Sequence, residues 1–240
     1  EDDDMEKLEQ VYEGKAKKVF KTDDPKKFIL SYKDDATAFN GKKKGTIVGK
    51  GVVNNKMSNF FFQKLEKEGI PTIYIEELND RDTLVKAVEI VPLEVIVRNV
   101  TAGSFSKRMG VEEGKELIHP IVEFSYKSDP LDDPFINDDY ATALGLATKE
   151  EVETIKDYAR KVNEYLCKHF KSVGIRLVDF KLEFGRYDGK IILADEISPD
   201  TMRLWDYETN EKLDKDRFRR DLGNVEDAYH EVMRRLGLEK

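Results

Sequence analysis

Residues 177–185, LVDFKLEFG, alternate apolar and charged side chains, and that alternation fixes the stretch as a strand with two chemically opposed faces. Counted from Val178, with Leu177 left out, the apolar face is Val178, Phe180, Leu182 and Phe184. The other face is Asp179, Lys181 and Glu183. A face that only meets water more often mixes in Thr, Ser or Gln. Three full charges in a row call for opposite charges on a neighbouring strand or for a polar ligand.

The segment that follows, RYDGKIILADEISPD, supplies a neighbour, because Asp188-Gly189 marks a hairpin turn. Two registers are open. A two-residue turn pairs 187 with 190 and puts Glu196 on the charged face. A three-residue loop with Gly189 left-handed pairs 186 with 190, which sets Asp195 opposite Lys181 and diagonal to Glu183. We expect the second, because Glu183 and Asp195 then converge as two oxygen ligands for Mg²⁺, a hard cation that takes one or two carboxylates plus substrate phosphates. Lys181 between them would neutralise phosphate charge. The competing reading is a solvated ladder of cross-strand ion pairs.

Composition narrows the ligand. The net charge of −8 disfavours general binding to nucleic acid or an anionic membrane, while leaving room for a local basic pocket and an anionic small molecule. A single cysteine, Cys167, excludes an intrachain disulfide and a thiolate-cluster metal site, and suits a reducing cytoplasm. His119, His169 and His230 have no ligand partner at metal spacing and read as structural, as does Cys167 within a helix. No apolar run approaches the ~18 residues of a membrane span. The acidic start EDDDM is unlike a secretory leader, with Met5 as a candidate natural start. A soluble, cytoplasmic protein is the expectation.

The first ninety residues read as short strands with Gly or Asp turns, interrupted by one helix carrying Val52, Val53, Lys56, Met57, Phe60, Phe61, Lys64 and Leu65 at helical spacing and stopping at Gly69. Strands resume at TIYIEEL, LVKAVEI and LEVIVRNV. Beyond about residue 100 longer helices surround the charged hairpin, which places a lobe boundary near Pro92 and the cleft beside it. SDPLDDPFINDDYATALG shows no period and reads as a long irregular loop, functional or mobile. Thr148 and Glu151 have capping-box spacing ahead of a helix through Val152, Ile155, Ala159, Val162, Leu166 and Phe170. Two more helices close the chain, the last from Asn224 with Asp227 three residues on.

Two further stretches can bind anions. In YEGKAKKVF, Gly14 lets backbone amides approach a phosphate, and Lys15, Lys17 and Lys18 add point charges, although the spacing is neither that of a P-loop nor of a dinucleotide fold. A charged surface hairpin would look the same. In VPLEVIVRNVTAGSFSKRMG an apolar strand ends in Arg98, suited to bidentate capture of carboxylate or phosphate, with Ser104 after Gly103 offering a hydroxyl and an N–H. Arg203 in SPDTMRLWD repeats the theme. For either arginine the plain alternative is a structural salt bridge.

Together these stretches resemble the SAICAR synthetase family. VPLEVIVRNVTAGS and LVDFKLEFG look like its two signature segments, and YEGKAKKVF, VVNNKMSNFF, DDPFIND, DEISPDTMRLWD and DKDRFRRDLG follow its pattern, from about residue 8 to 237. The resemblance implies an α+β, two-lobed ATP-grasp-like fold, with a small antiparallel β lobe (1–91) over a larger α/β lobe (92–240). It implies a carbon–nitrogen ligase of purine biosynthesis that joins CAIR to L-aspartate with ATP and Mg²⁺, through an acyl phosphate, in a homo-oligomer such as a dimer. Carried over by position, Gly14, Lys15, Ala16 and Lys17 match the phosphate-covering hairpin, and Glu183 and Asp195 the metal carboxylates. Lys181 matches the lysine on the nucleotide phosphates, with Asp179 into the cleft or orienting that lysine. Arg98, Ser104 and Arg203 match the ribonucleotide site, and Asp200 with the DDPFIND loop lies near the reacting centre. Asn40 departs from members that carry an acid there, and an amide cannot act as a base. Two rival readings share the metal pair: a kinase acting on an inositol or sugar hydroxyl, and a catalytically silent nucleotide-binding regulator.

Overall fold

The computed structural model describes residues 6–240, so the Met5 expectation lies outside the described residues. In chain order the elements are β1 (Gln10–Glu13), β2 (Lys17–Lys21), β3 (Lys27–Tyr32), β4 (Asp35–Ala38), β5 (Lys43–Thr46), α1 (Lys50–Lys67), β6 (Tyr74–Glu77), β7 (Asp82–Lys86), β8 (Glu89–Ile90) and β9 (Leu93–Val100). Then come α2 (Gly103–Met109), β10 (Glu116–Tyr126), β11 (Phe135–Ile136), α3 (Asp138–Ala143), α4 (Lys149–Ser172), β12 (Ile175–Tyr187), β13 (Lys190–Ala194), β14 (Met202–Asp206), α5 (Asp216–Arg219) and α6 (Val225–Arg235).

The strands form two large antiparallel sheets. The first runs β1-β2-β3-β7-β6; the second runs β11-β10-β9-β12-β13, with β8 and β14 also pairing with β12. The LVKAVEI stretch therefore divides, β7 going to one sheet and β8 to the other. One apolar core nevertheless continues through both halves, from Leu30 and Val85 through Met57, Phe61 and Leu65 of α1 to Leu166 and Phe170 of α4. Strand β13 ties the halves together, since the Leu193 N–H donates to the Pro71 carbonyl at 2.8 Å and the Ile73 N–H to the Leu193 carbonyl at 3.0 Å.

Local chemistry explains the helices. At α4 the Thr148 side chain accepts from the Glu151 N–H and the Glu151 side chain from the Thr148 N–H, the expected reciprocal cap. All six apolar residues expected on its inner face are buried. The α6 start differs: Asn224 is left-handed (φ 54°) and makes no side-chain cap. Helix α1 also differs from a simple apolar stripe. Val53, Met57, Phe61 and Leu65 are buried as spacing predicts, but so are Lys50, Asn54, Asn55, Ser58 and Asn59, whereas Val52, Lys56, Phe60 and Lys64 of the expected stripe are not. The 128–145 stretch is not a structureless loop. It holds β11, paired to β10, and α3, capped by the Asn137 side chain accepting from the Tyr140 N–H. No helix among the described residues is long and apolar enough to cross a membrane.

Two expectations about the charged strand are corrected. The pairing shifts between Leu177 and Asp179, a bulge that turns one extra residue over. Leu177 therefore shares the main core with Phe180, Leu182 and Phe184, and Val178 packs in a separate cluster with Val100, Ala102 and Trp205. The hairpin pairs Tyr187 with Lys190 and Glu183 with Ala194, so the two-residue turn is the one adopted. Asp188 and Gly189 both have positive φ, 49° and 76°, as the tight turn whose twist matches the strands requires.

Candidate active site

By that register alone Asp195 would face away from Glu183. It does not, because β13 ends at Ala194 and Asp195 takes a left-handed backbone, φ 59°. Such a conformation costs a non-glycine residue about 1–3 kcal/mol and persists where surrounding contacts hold it. The break coincides with a change of partner along β12, whose edge pairs with β14 as far as Phe180 and with β13 from Glu183. Between them the Lys181 N–H donates to the Thr201 carbonyl at 2.9 Å, and the connection 195–201 is threaded through the gap. Asp195, Glu196 and Asp200 thereby reach the charged face.

That face extends beyond one strand. Cross-strand pairs lie on the same side of a sheet, so Arg98 and Arg203 flank Asp179, and Glu123, Ile96 and Lys181 form the next row. Asp179 accepts from Arg203 Nη1 at 3.1 Å and lies 3.6 Å from Arg98 Nη1. Its task is to hold two guanidinium groups, and Lys181 is held by Glu94 instead, 3.3 Å away. The expectation that Asp179 orients Lys181 is therefore replaced. Arg98 is also paired to Glu123, and Arg203 Nε donates to Asp216 at 2.9 Å. The Arg203 guanidinium fills the space where a side chain at Gly103 would stand, beside exposed Ser104. Arg98, Ser104 and Arg203 thus gather around Asp179 and α2, apart from the residues that line the main cleft.

The cleft lies between the two sheets and holds about 990 Å³, the upper range for a small-molecule site. One end is apolar, with Val19, Leu30, Val85, Val88 and Ile90. The other carries Lys17, Lys50, Glu94, Lys127, Lys181, Glu183, Asp195, Glu196, Asp200 and Lys215. The β1–β2 turn is closed by the Gly14 N–H donating to the Lys17 carbonyl at 2.8 Å, while the Ala16 carbonyl accepts from the Lys33 N–H. A Cβ on Gly14 would stand 3.1 Å from the Tyr12 ring. Lys15 and Asn40 both reach towards Asp129 at the cleft mouth, Lys15 at 3.9 Å from its carboxylate and Asn40 at 3.4 Å from its carbonyl.

Lys17 crosses the cleft to Asp195, Nζ to Oδ1 2.6 Å. Burial opposes ionisation of Asp195, but Lys17 and Lys181 outweigh it and hold the carboxyl below its ordinary range. Glu183 is pushed the other way, by burial first and then by Asp195 beside it, with Lys127 at 3.1 Å offsetting part of the effect. Among the described residues no group of three or more His, Cys, Asp and Glu side chains is arranged for a metal ion. Two neighbouring carboxylates, Glu183 buried and Asp195 half-buried, are still a fitting donor set for Mg²⁺, which completes its shell with phosphates and water.

Asp200 sits in a closed cage. Lys50 Nζ donates to Oδ2 at 2.5 Å, Asn54 Nδ2 to the same oxygen at 3.0 Å, and the Tyr229 hydroxyl of α6 donates to Oδ1. Burial alone would raise its pKa, yet the Lys50 and Lys215 charges and these bonds bring it to about 2. Tyr229→Phe keeps the ring and removes one bond to a charged acceptor, so thermal unfolding is expected to show a loss of about 1.5–3 kcal/mol. Unchanged stability would mean the hydroxyl does not support Asp200.

Sequence reasoning assigned no role to Lys50, Asn54, Glu94, Lys127, Tyr229 or Lys215. Glu94 had a signal, since Glu94, Ile96 and Arg98 alternate with buried Val95 and Val97. So did α1, where Asn54/Ser58 and Asn55/Asn59 recur at i, i+4 inside an apolar helix. Lys127 and Tyr229 carried none.

The SAICAR synthetase family model matches residues 10–236. A phosphoribosylaminoimidazole-succinocarboxamide synthase of Lachnoclostridium phytofermentans is 69% identical over 235 residues, 98% of this chain and 100% of the relative. The crystal structure of the synthase from Ehrlichia chaffeensis superposes with a TM-score of 0.94 at 47% identity, covering 97% of this chain and 100% of that one. A SAICAR synthetase in complex with ADP superposes with a TM-score of 0.93 at 50% identity, over 96% of this chain and 99% of its own.

Proposed function

The chain belongs to the SAICAR synthetase family, and from that premise we propose that its cleft joins the carboxylate of CAIR to the amine of L-aspartate, converting ATP to ADP and phosphate. The reaction is a carbon–nitrogen ligation of purine biosynthesis. One observation supports the site most directly: Lys17 from β2 of the first sheet, Lys181 and Glu183 from β12 of the second, and Asp195 just beyond β13 meet in a single cleft with an apolar end. A SAICAR synthetase of the same fold is in complex with ADP, and in this cleft a nucleotide would set its base towards the apolar end and its phosphates towards the lysines.

A carboxylate is a poor acyl donor. Transfer of the terminal phosphoryl group to the CAIR carboxylate gives an acyl phosphate, whose carbonyl the aspartate amine can attack with phosphate as leaving group. Such a transfer depends on positioning and charge neutralisation rather than covalent help from the protein. Lys17, Lys15 and the Gly14–Lys17 turn cover the phosphates from one side, and Lys181 meets them from the other. Glu183 and Asp195 are the residues that would hold Mg²⁺, which supplies further charge neutralisation at the phosphoryl oxygens. Lys17 then exchanges Asp195 for phosphate as its partner. Arg98, Ser104 and Arg203 grip the ribonucleotide phosphate, and lobes 1–91 and 92–240 form the two walls.

A coupled ADP assay tests this. ADP release is expected only with ATP, CAIR and L-aspartate together, and to stop on chelation of divalent metal. Release with a sugar or inositol hydroxyl in place of aspartate would favour the kinase reading instead.

A further inference from the structure

The attacking nitrogen must shed a proton, and no histidine lines the cleft. His119 faces a groove on the far side of the sheet, His169 packs on Phe60 and Phe61, and His230 pairs with Glu239. The cleft carboxylates are engaged. Asp195 is bound by Lys17, Glu183 by Lys127, Glu94 by Lys181, and Glu196 accepts from the Ser198 hydroxyl at 2.6 Å. Asp200 is a poor base, caged and ionised down to about pH 2.

Lys215 is different. It lines the cleft beside Asp200 and Thr201, and its backbone N–H, donating to the Pro199 carbonyl at 3.1 Å, fixes it to the 198–201 turn. Among the described residues its Nζ has neither a hydrogen-bond partner nor a carboxylate within 4.0 Å, whereas Lys17, Lys50, Lys127 and Lys181 each have one. The acids next to it in sequence point elsewhere: Asp214 accepts from the Leu204 and Asp216 N–H groups, and Asp216 from Arg203 and Arg219.

Given the ligase reading of the cleft, we propose that the unpartnered Nζ of Lys215 is the base that takes the proton from the aspartate nitrogen. The free amine of aspartate adds to the acyl carbon, forming the C–N bond and placing positive charge on nitrogen. Lys215 removes one N–H proton, and the adduct collapses. The C–O bond to phosphate breaks, its electron pair leaving with phosphate, and the amide remains. The Lys215 ammonium then returns its proton to water. Electrostatics favour this assignment. Burial, then the charges of Arg219 on α5, Lys50 on α1 and Lys181 on β12, bring Lys215 down to about 8 despite the opposing pull of Asp200. A base works best when its pKa lies near the working pH.

The decisive variant is Lys215→Arg, which keeps the positive charge but cannot serve as a base. Aspartate ligation is expected to fall by about 10²–10⁴-fold. Hydroxylamine, a nucleophile unprotonated near neutral pH, is still expected to trap the activated CAIR carboxyl as a hydroxamate. In the wild type the aspartate-dependent kcat should rise with pH through about 8, and that limb should vanish in the variant. Should the arginine variant fold poorly, Lys215→Ala with added small primary amines must recover ligation. The proposal is overturned by an arginine variant that ligates aspartate normally, by equal loss of ligation and hydroxamate, or by failure of amine rescue. A wild type giving neither product would instead sink the ligase reading, and the role of Lys215 with it.

Discussion

Asp195→Asn is expected to lower kcat by about 10²–10³-fold, the loss typical of removing one preorganised group that meets developing charge. Asp195 is the point where both walls of the cleft join, through Lys17 at 2.6 Å, and one of two carboxylates suited to a divalent cation. An asparagine preserves shape and one acceptor oxygen but removes the charge. Half-saturation by Mg²⁺ should therefore move to higher concentration. Glu183 should titrate lower, since Asp195 is the second cause, after burial, of its raised pKa. Folding should survive, because Lys17 still has Glu196 at 3.8 Å. Steady-state ADP release against Mg²⁺ concentration reads the effect. Normal turnover with unaltered metal dependence would remove Asp195 from the site.

Asp179→Ala is expected to cost about 3–5 kcal/mol of stability, because breaking a buried ion pair from one side strands the other charge. Here two guanidinium groups lose a shared partner that is 4% exposed. Glu123 and Asp216 remain for Arg98 and Arg203, which places the loss towards the lower figure. Denaturant midpoints measure it. Because the same arginines are proposed to grip the ribonucleotide phosphate, KM for CAIR should rise more than kcat falls. A variant as stable as the wild type, with unchanged KM, would show that Asp179 does not organise the pair.

Much of this was legible in local pattern. The α4 cap, the six-residue inner face of that helix and the charged strand needed only nearest-neighbour rules, since periods of 3.6 and 2 are properties of the backbone itself. The failures on the charged strand and its hairpin are each a shift of one residue. A bulge at Leu177–Asp179 and a left-handed Asp195 each break a period by one residue, and a single such break reverses every assignment beyond it. Asp195 reached the charged face as expected although the register expected to carry it there was wrong, two reversals having cancelled.

The chain itself determined which residues were charged, which faces were apolar and which turns were tight, because these follow from side-chain chemistry and from backbone sterics over a few residues. Tertiary structure alone decided partnership. Lys17 meets Asp195 across 178 positions, Lys50 meets Asp200 across 150, and Asp179 draws arginines from two other strands. Electrostatic energy depends on distance and desolvation in space, and no local period encodes either.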